Sequence, residues 1–515
     1  LSNKLYIEFI FLVILGMITT LSLPPLNYFF LNFITFPLFF IFLIKKSNLH
    51  KNSKFFFIYG WAFGFGYFLT NLYWISISLT FDQNFKFLIP LTVILIPAFL
   101  AIFYGLVTLI FVILNPRKKI LSSFFIFSLV FGIFEFFRGS ILSGFPWNLI
   151  AYSFSNQLEV VTIISIVGTY GFNLFCISLF TCPAIFILKD KNRDIGICIF
   201  FLISLILIIF YGNHYQEKFN NTVKKDNNYK IRVIGSNISL DRFYSNTDTT
   251  SIIKELIEIS DPNFNEKTIF VWPEGMLPDI SNEELVLYNS LFKKKFNQNH
   301  LLVIGTNNQL TKNGSTKYFN SLSIYDHKLN LLDSYNKIKL VPFGEFLPAE
   351  SLLSKIGLRS ITNNYQSFSK GEHRKIIEIK RENFSIKILP LICYEIIYSG
   401  KIFENKDFDL IINVSEDGWF GSSIGPKQHF DHSIFRAIES GKYLIRSANN
   451  GISAIINPIG IIEQKVNLNQ SGFIDFKESS KIQPTIFSKY GNKIFGSLIL
   501  LYIFLIFSFN RIKNE

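Results

Sequence analysis

The stretch "LPLICYE", Leu389–Glu395, decides how the second half of this chain is read. Four apolar residues run straight into a cysteine, a tyrosine and a glutamate. A short apolar run of this kind suits a strand buried on both faces of a sheet. The residue delivered at the carboxyl end of such a strand lies where α/β folds place their chemistry. Cys393 is one of four cysteines in 515 residues, too few for a disulfide framework. Cys176, Cys182 and Cys198 lie inside long apolar runs, where a thiol packs as a small hydrophobe. Cys393 stands instead in a stretch of mixed polarity.

Working outward, similar runs recur from about residue 228: "KIRVIGSNISL", "TIFVWPEG", "HLLVIGTNN", "FNSLSIYD", "FDLIINVSED" and "GISAIINPIG". Helical patterns fall between several of them, as in "TTSIIKELIEIS" and "QHFDHSIFRAIESGKYLI". Strands alternating with helices predict an α/β domain of sheets covered by helices. Its expected extent is 213–490, with "NHYQEKFNNTVKKDNN" (213–228) as the linker that leads into it.

The first 212 residues read differently. The chain is 49% hydrophobic and holds 60 phenylalanines, a composition that points to lipid. A hydrocarbon core about 30 Å thick takes roughly 20 apolar helical residues to cross. Seven runs qualify, near 5–23, 27–44, 55–80, 87–114, 120–137, 158–188 and 195–211, and an eighth lies near 493–510. The expected organisation is a seven-span membrane domain over 1–212, the α/β domain, and an eighth span with its tail over 491–515. The first run lacks a small-x-small cleavage pattern and reads as an uncleaved anchor. Since the chain begins with Leu, a non-AUG start or a trimmed terminus is also open.

Charge sets the sidedness. Lys45, Lys46, Lys51 and Lys54 follow the second run, Arg117, Lys118 and Lys119 the fourth, and Lys189, Lys191 and Arg193 the sixth. The alternate loops hold few cations, and cationic loops stay in the cytoplasm. The amino terminus is therefore expected inside and 212–490 outside, with Arg511 and Lys513 returning inside after an even number of spans. Topology thus accounts for part of the net charge of +13, and nucleic acid is not an expected partner.

Three strand ends carry complementary chemistry. Glu274 ends "TIFVWPEG", Lys337 and Lys339 lie in "SYNKIKLVPFGEF", and Cys393 ends its own strand. A thiol is mostly protonated at neutral pH, a carboxylate can take its proton, and an ammonium favours both the thiolate and a developing oxyanion. Each residue alone also fits a plain role: packed cysteine, turn glutamate, solvated lysine. Lysines two apart share a face of an extended segment, so spacing leaves Lys337 and Lys339 equivalent. His429 and His432 are three apart on a helical pattern without an evident third metal ligand, which suits core or surface positions.

"WPEG", "YNKIKLVPFGEFLP" and "LICYE" together resemble the nitrilase superfamily, whose αββα sandwich carries a Glu–Lys–Cys set. With eight flanking spans the chain resembles, more narrowly, the apolipoprotein N-acyltransferase family. "GFPWNLIAYS", "GTYGFNLF", "WFGSSIGPKQHF" and "RSANNGISAIINPIG" extend that likeness over nearly the whole chain. The resemblance implies Glu274 as general base, Lys337 as the oxyanion-stabilising lysine and Cys393 as the acylated nucleophile. It also implies Glu345, Tyr394 and Glu395 as supports of the site, with Tyr244, Asn320 and Trp419 as substrate contacts. The implied reaction moves an acyl chain from a membrane phospholipid, through a Cys thioester, to the amino group of a diacylglyceryl-cysteine on an apolipoprotein. No metal or cofactor is implied, and the implied setting is the bacterial inner membrane with the catalytic domain in the periplasm. The aromatic residues of "GFPWNLIAYS" are expected at interfacial depth.

Four positions depart from the family pattern. Ser236 and Leu240 stand where glutamines are usual, Tyr244 at a tryptophan position, and Glu416 in "SEDGWFG" at an asparagine position. These departures bear on substrate recognition and loop shape. Two alternatives remain at this point: a membrane-tethered amidase with water as acceptor, and a lipid-binding membrane scaffold without enzymatic activity.

Overall fold

Helix α1 (Asn3–Thr20) opens the chain, followed by α2 (Asn32–Leu49), α3 (Lys54–Leu72), α4 (Ile89–Leu114), α5 (Ile120–Arg138), α6 (Ile164–Thr181) and α7 (Ile195–Asn220). The computed structural model describes residues 3–49, 52–115, 119–189, 191–244, 248–312, 314–353, 355, 367–381, 384–400 and 407–511. Lys51, Arg117, Lys118 and Lys513, which entered the charge pattern, lie outside the described residues. Seven helices among the described residues are long and apolar enough to cross a membrane: α2 to α7 and the C-terminal helix, while the apolar part of α1, Leu5–Thr20, is shorter.

Two runs differ from their expected shape. The run at 158–188 is broken into a short helix at Leu158–Val161, α6, and another at Ala184–Leu188. Gly168 bends α6 with φ 70°, a conformation that glycine adopts without a Cβ clash. Helix α7 does not stop near 211 but runs to Asn220, through part of the stretch expected as linker. The cause is Phe219, buried in the core of the α/β domain, with Tyr215 packed against the same core.

Twelve strands follow among the described residues. One sheet has the order β12-β1-β2-β3-β4-β5 and the other β11-β10-β9-β8-β7-β6. The first comprises β1 (Lys225–Gly235), β2 (Thr268–Val271), β3 (His300–Lys312), β4 (Ser315–Asp326), β5 (Leu331–Asn336) and β12 (Gly472–Ser479). The second comprises β6 (Ile377–Arg381), β7 (Phe384–Ile392), β8 (Leu410–Glu416), β9 (Tyr443–Asn449), β10 (Ser453–Ile456) and β11 (Ile462–Val466). The central strands β1, β2 and β3 pair in parallel, as do β7, β8 and β9. That places their carboxyl ends together.

Strand periodicity assigns the layers. In β7, Ile388 and Ile392 face the other sheet, alongside Val233, Val271, Ile412 and Ile445. Leu389 and Leu391 face the opposite way. Helix α8 (Thr249–Ser260) covers the outside of the first sheet through Ile253 and Leu256 against Phe270 and Trp272. Helix α9 (Gly425–Ser440) covers the second sheet, and the C-terminal helix α10 (Lys493–Arg511) returns to the membrane domain.

Helix α9 is the joint between the two halves. Every residue in it except Lys427 is buried, and its Phe430, Ile434 and Ile438 belong to one apolar cluster running from β7 into the membrane helices. A buried polar group without a partner costs about 1–3 kcal/mol, and Gln428, Asp431 and Glu439 of α9 are paired across the joint. Gln428 accepts from Trp147 Nε1 (2.8 Å) and donates to Pro24 O (3.1 Å) and Asn71 Oδ1 (2.7 Å). Asp431 accepts from Ser155 Oγ (2.8 Å). Glu439 pairs with Arg436 (2.9 Å) and accepts from Thr169 N (2.8 Å), the backbone donor freed where α6 bends at Gly168.

These contacts gather at one end of the membrane helices. At the other end Lys46 pairs with Glu8, Tyr59 donates to Glu8 (3.0 Å), and Lys119 donates to Asn510 O (3.3 Å). The cationic helix ends and the α/β domain therefore lie on opposite sides.

The bend at Gly168 gives the first test. A Cβ there would lie 2.0 Å from Phe487 Cε2, on a residue already at positive φ. Overpacking and backbone strain each cost about 1–3 kcal/mol, so Gly168→Ala is expected to lower the unfolding temperature of the detergent-solubilised protein clearly. An unchanged transition would show that the bend is dispensable.

Candidate active site

Three strand ends converge across the sandwich. Glu274 follows β2, Lys337 follows β5 in the same sheet, and Cys393 follows β7 in the facing sheet. All three are buried. Lys337 Nζ lies 3.1 Å from Glu274 Oε1 and 2.9 Å from Glu345 Oε1. Geometry thus separates the two lysines left equivalent by spacing: Lys339 stands over the Tyr398 ring at 5.3 Å instead.

Asn320, expected as a substrate contact, is used inside the protein. Its Nδ2 donates to both Glu274 Oε1 and Glu345 Oε1, at 2.6 Å each. Glu274 Oε2 accepts the backbone N–H of Glu416 (3.0 Å), and Glu345 Oε2 that of Val341 (2.9 Å). Both carboxylates are held at both oxygens. Burial opposes the Lys337 charge, but Glu274 and Glu345 more than offset it and hold the ammonium above the ordinary lysine range. Burial raises the pKa of Glu345, with Lys337 acting against it.

Cys393 starts a tight turn with φ 45°, a strained conformation for a residue with a side chain. Burial pushes its thiol well up and Glu274 adds to the shift, while Lys337 pulls the other way. The resting group is therefore the neutral thiol.

The turn is held from several sides. Glu395 Oε1 accepts Tyr335 Oη (2.8 Å) and the backbone N–H of Ile338 (3.1 Å), while Oε2 accepts the N–H of Ile392 (3.0 Å). Glu395 thereby ties the cysteine turn to the segment bearing Lys337. Tyr394 donates to Gly144 O (2.8 Å) and Tyr398 to Ser143 O (2.7 Å), which fixes the turn to the loop after α5.

A further group escaped the sequence reading. His429 Nε2 lies 3.3 Å from Cys393 O, its Nδ1 lies 2.8 Å from Asp417 Oδ1, and Arg446 Nη2 pairs with Asp417 Oδ2 (2.7 Å). Burial lowers the pKa of His429. Burial likewise lowers His432 well below the ordinary histidine range, and both rings lie in the core. The available signal was "QHFDH", an unusually polar run for a helix inside a core. Trp147 stacks on His429 at 5.3 Å. It is 3% exposed, so this tryptophan faces the catalytic domain rather than the lipid interface expected for it. Gln428 supplies the reason by accepting its indole N–H. Tyr244 and Trp419 meet edge to face at 6.4 Å, with Phe243 5.1 Å and Phe81 6.0 Å from the same indole.

Two facing sheets between helical layers, with these strand ends, define a nitrilase-type α/β domain carried on membrane helices. Residues 271–476 match the carbon–nitrogen hydrolase family, and residues 15–182 match the apolipoprotein N-acyltransferase N-terminal domain. An apolipoprotein N-acyltransferase from Rhodopseudomonas palustris is 31% identical over 508 residues, covering 95% of this chain and 93% of the relative. One from Rickettsia prowazekii is 32% identical over 503 residues, covering 96% of each. Among solved structures, a Nesterenkonia amidase of the nitrilase superfamily aligns with 50% of this chain and 92% of its own at 13% identity and TM-score 0.34. The chain belongs to the apolipoprotein N-acyltransferase family.

Lys337 favours the Cys393 thiolate, so removing its charge should disfavour it. Lys337→Met is expected to move the pH profile of Cys393 alkylation by iodoacetamide to higher pH, read by intact mass with Cys393→Ala as blank. A profile that stays in place would mean that the ammonium does not act on the thiol.

Proposed function

We propose that this chain transfers an acyl chain from a membrane phospholipid to the amino group of a diacylglyceryl-cysteine at the start of an apolipoprotein, through a thioester on Cys393. The observation that carries this reading is the buried Glu274–Lys337–Glu345 cluster facing a strained, neutral cysteine. Glu274 takes the thiol proton as Sγ attacks the ester carbonyl carbon. Lys337 stabilises the oxyanion, an effect for which losing one donor typically costs about 10²–10³ in rate. The ester C–O bond breaks, the leaving oxygen takes the proton from Glu274, and a lysophospholipid departs. The acceptor amine then attacks the thioester carbonyl, Glu274 receives its proton, the C–S bond breaks, and the thiolate recovers a proton as the amide forms.

Glu345 and Asn320 hold Glu274 and Lys337 in place, while Glu395 and Tyr394 hold the cysteine turn. Tyr244 and Trp419, in their aromatic cluster with Phe81, serve as the substrate contacts at the membrane side of the domain. The chain lies in the bacterial inner membrane with the α/β domain in the periplasm. The separation of cationic helix ends from that domain supports this orientation.

Incubation of the purified full chain with phosphatidylethanolamine is expected to add one acyl mass, which Cys393→Ala abolishes. A diacylglyceryl peptide should then discharge it as an N-acyl peptide. A folded, lipid-supplied protein that never gains the adduct sinks the reading, and discharge to water alone in the presence of the peptide makes the protein a hydrolase.

A further inference from the structure

Glu274 is held from outside its own cluster by two groups that meet each other. Its Oε2 accepts the backbone N–H of Glu416 at 3.0 Å, and the carbonyl of the next residue, Gly275, accepts Arg242 Nε at 3.0 Å. Arg242 and Glu416 form an ion pair with side chains 1% and 2% exposed. Arg242 Nη1 also closes its own turn onto Ser239 O (2.7 Å) and Ile238 O (3.2 Å). Glu416 Oε1 accepts Gly418 N (2.8 Å), and Oε2 accepts Asn449 Nδ2 (2.8 Å). The carboxylate thereby fixes the turn that supplies the N–H to Glu274.

We propose that the Arg242–Glu416 ion pair is a positioning device that aims the Glu274 carboxylate at Cys393, by bracketing Glu274 between the Glu416 amide and the Arg242 guanidinium. The inference rests on the reading of Glu274 as the proton acceptor. Arg242 reaches Glu416 from the turn after β1 and Asn449 reaches it from β9, while Glu274 faces its amide from the turn after β2. Asp417 is next in the chain, with Arg446 and His429 beyond it. Burial raises Glu416 to about 7, with Arg242 opposing the shift. Lowering the pH through about 7 therefore uncharges Glu416 and leaves the guanidinium without its counter-charge, so acylation is expected to fall.

The test measures thioester formation on the full chain with phosphatidylethanolamine across pH. Arg242→Met and Glu416→Gln are each expected to lower kcat roughly 10²-fold, the scale of an ångström's misplacement, with KM for the lipid unchanged. The double variant should lose no more than the worse single one, because both remove the same pair. Arg242→Lys should recover part of the rate, and Glu416→Gln should lose the fall near pH 7. Folded single variants acting at the wild-type rate, losses that multiply, or an acid fall unchanged in Glu416→Gln would each overturn the proposal. If the stronger substitutions fail to fold, Arg242→Lys and the wild-type profile decide, and a wild-type rate flat across pH 7 counts against it. Glu274→Gln separates the two readings. If that variant acylates normally, both fail. If it is inactive while the pair variants act normally, only the positioning role fails.

Discussion

One ammonium buried between two carboxylates sets the terms for everything around it. Lys337 is 1% exposed, and a charge in that position is tolerable only with partners and hydrogen bonds in place. Glu274 and Glu345 supply the charge, and Asn320 with the backbone of Val341 and Glu416 takes up the remaining lone pairs. Glu274 also stands close enough to the thiol to disfavour its ionised form. Burial above all, with Glu274 adding to it, is why Cys393 rests neutral although a cation is near.

The cluster needs rigid walls, and the membrane domain provides one of them. Helix α9 lies between sheet and spans with polar side chains that find partners on both sides. Removing the spans would leave Gln428, Asp431 and Glu439 without Trp147, Ser155 and Thr169. The cysteine turn depends on the same wall, because Tyr394 and Tyr398 donate to carbonyls of the loop after α5. Trp147 meanwhile closes over the imidazole beside the Cys393 carbonyl. The spans are therefore part of how the Cys393 turn is held.

Most of the architecture was written in periodicity. The strand "IKILPLI" announces two buried faces because alternate residues enter different cores, and the apolar runs announce their helices by length and composition alone. Side-chain partners were less accessible. Lys337 and Lys339 have the same period and nearly the same neighbours, and the choice between them depends on Glu274 and Glu345 in space. Asn320 looks like any strand asparagine until two carboxylates arrive from other loops. Trp147 has the composition of an interfacial anchor, and its true direction is set by Gln428, 281 residues further along. Extension of α7 into the expected linker follows from Phe219 and Tyr215, whose apolar partners belong to strands made later in the chain.

The four positions expected to depart from the family pattern share one place in the fold. Ser236, Leu240, Tyr244 and Glu416 are spread over 180 residues of sequence, yet they meet around one turn. Ser236 Oγ donates to Asn449 Oδ1 at 2.7 Å, and the same asparagine donates to Glu416. Leu240 packs so close to Gly418 that a Cβ there would stand 3.1 Å from its Cγ, and Tyr244 meets Trp419 one residue further on. Arg242 links this group to Glu416 by charge. Substitutions in contact change one another's energetics, whereas distant ones act independently. The four positions are therefore one coupled unit, held by a buried ion pair, the hydrogen bonds of Asn449 and an apolar contact. That unit supplies the Glu416 N–H to Glu274 Oε2, so both oxygens of the carboxylate are occupied, which is the condition the cluster imposes.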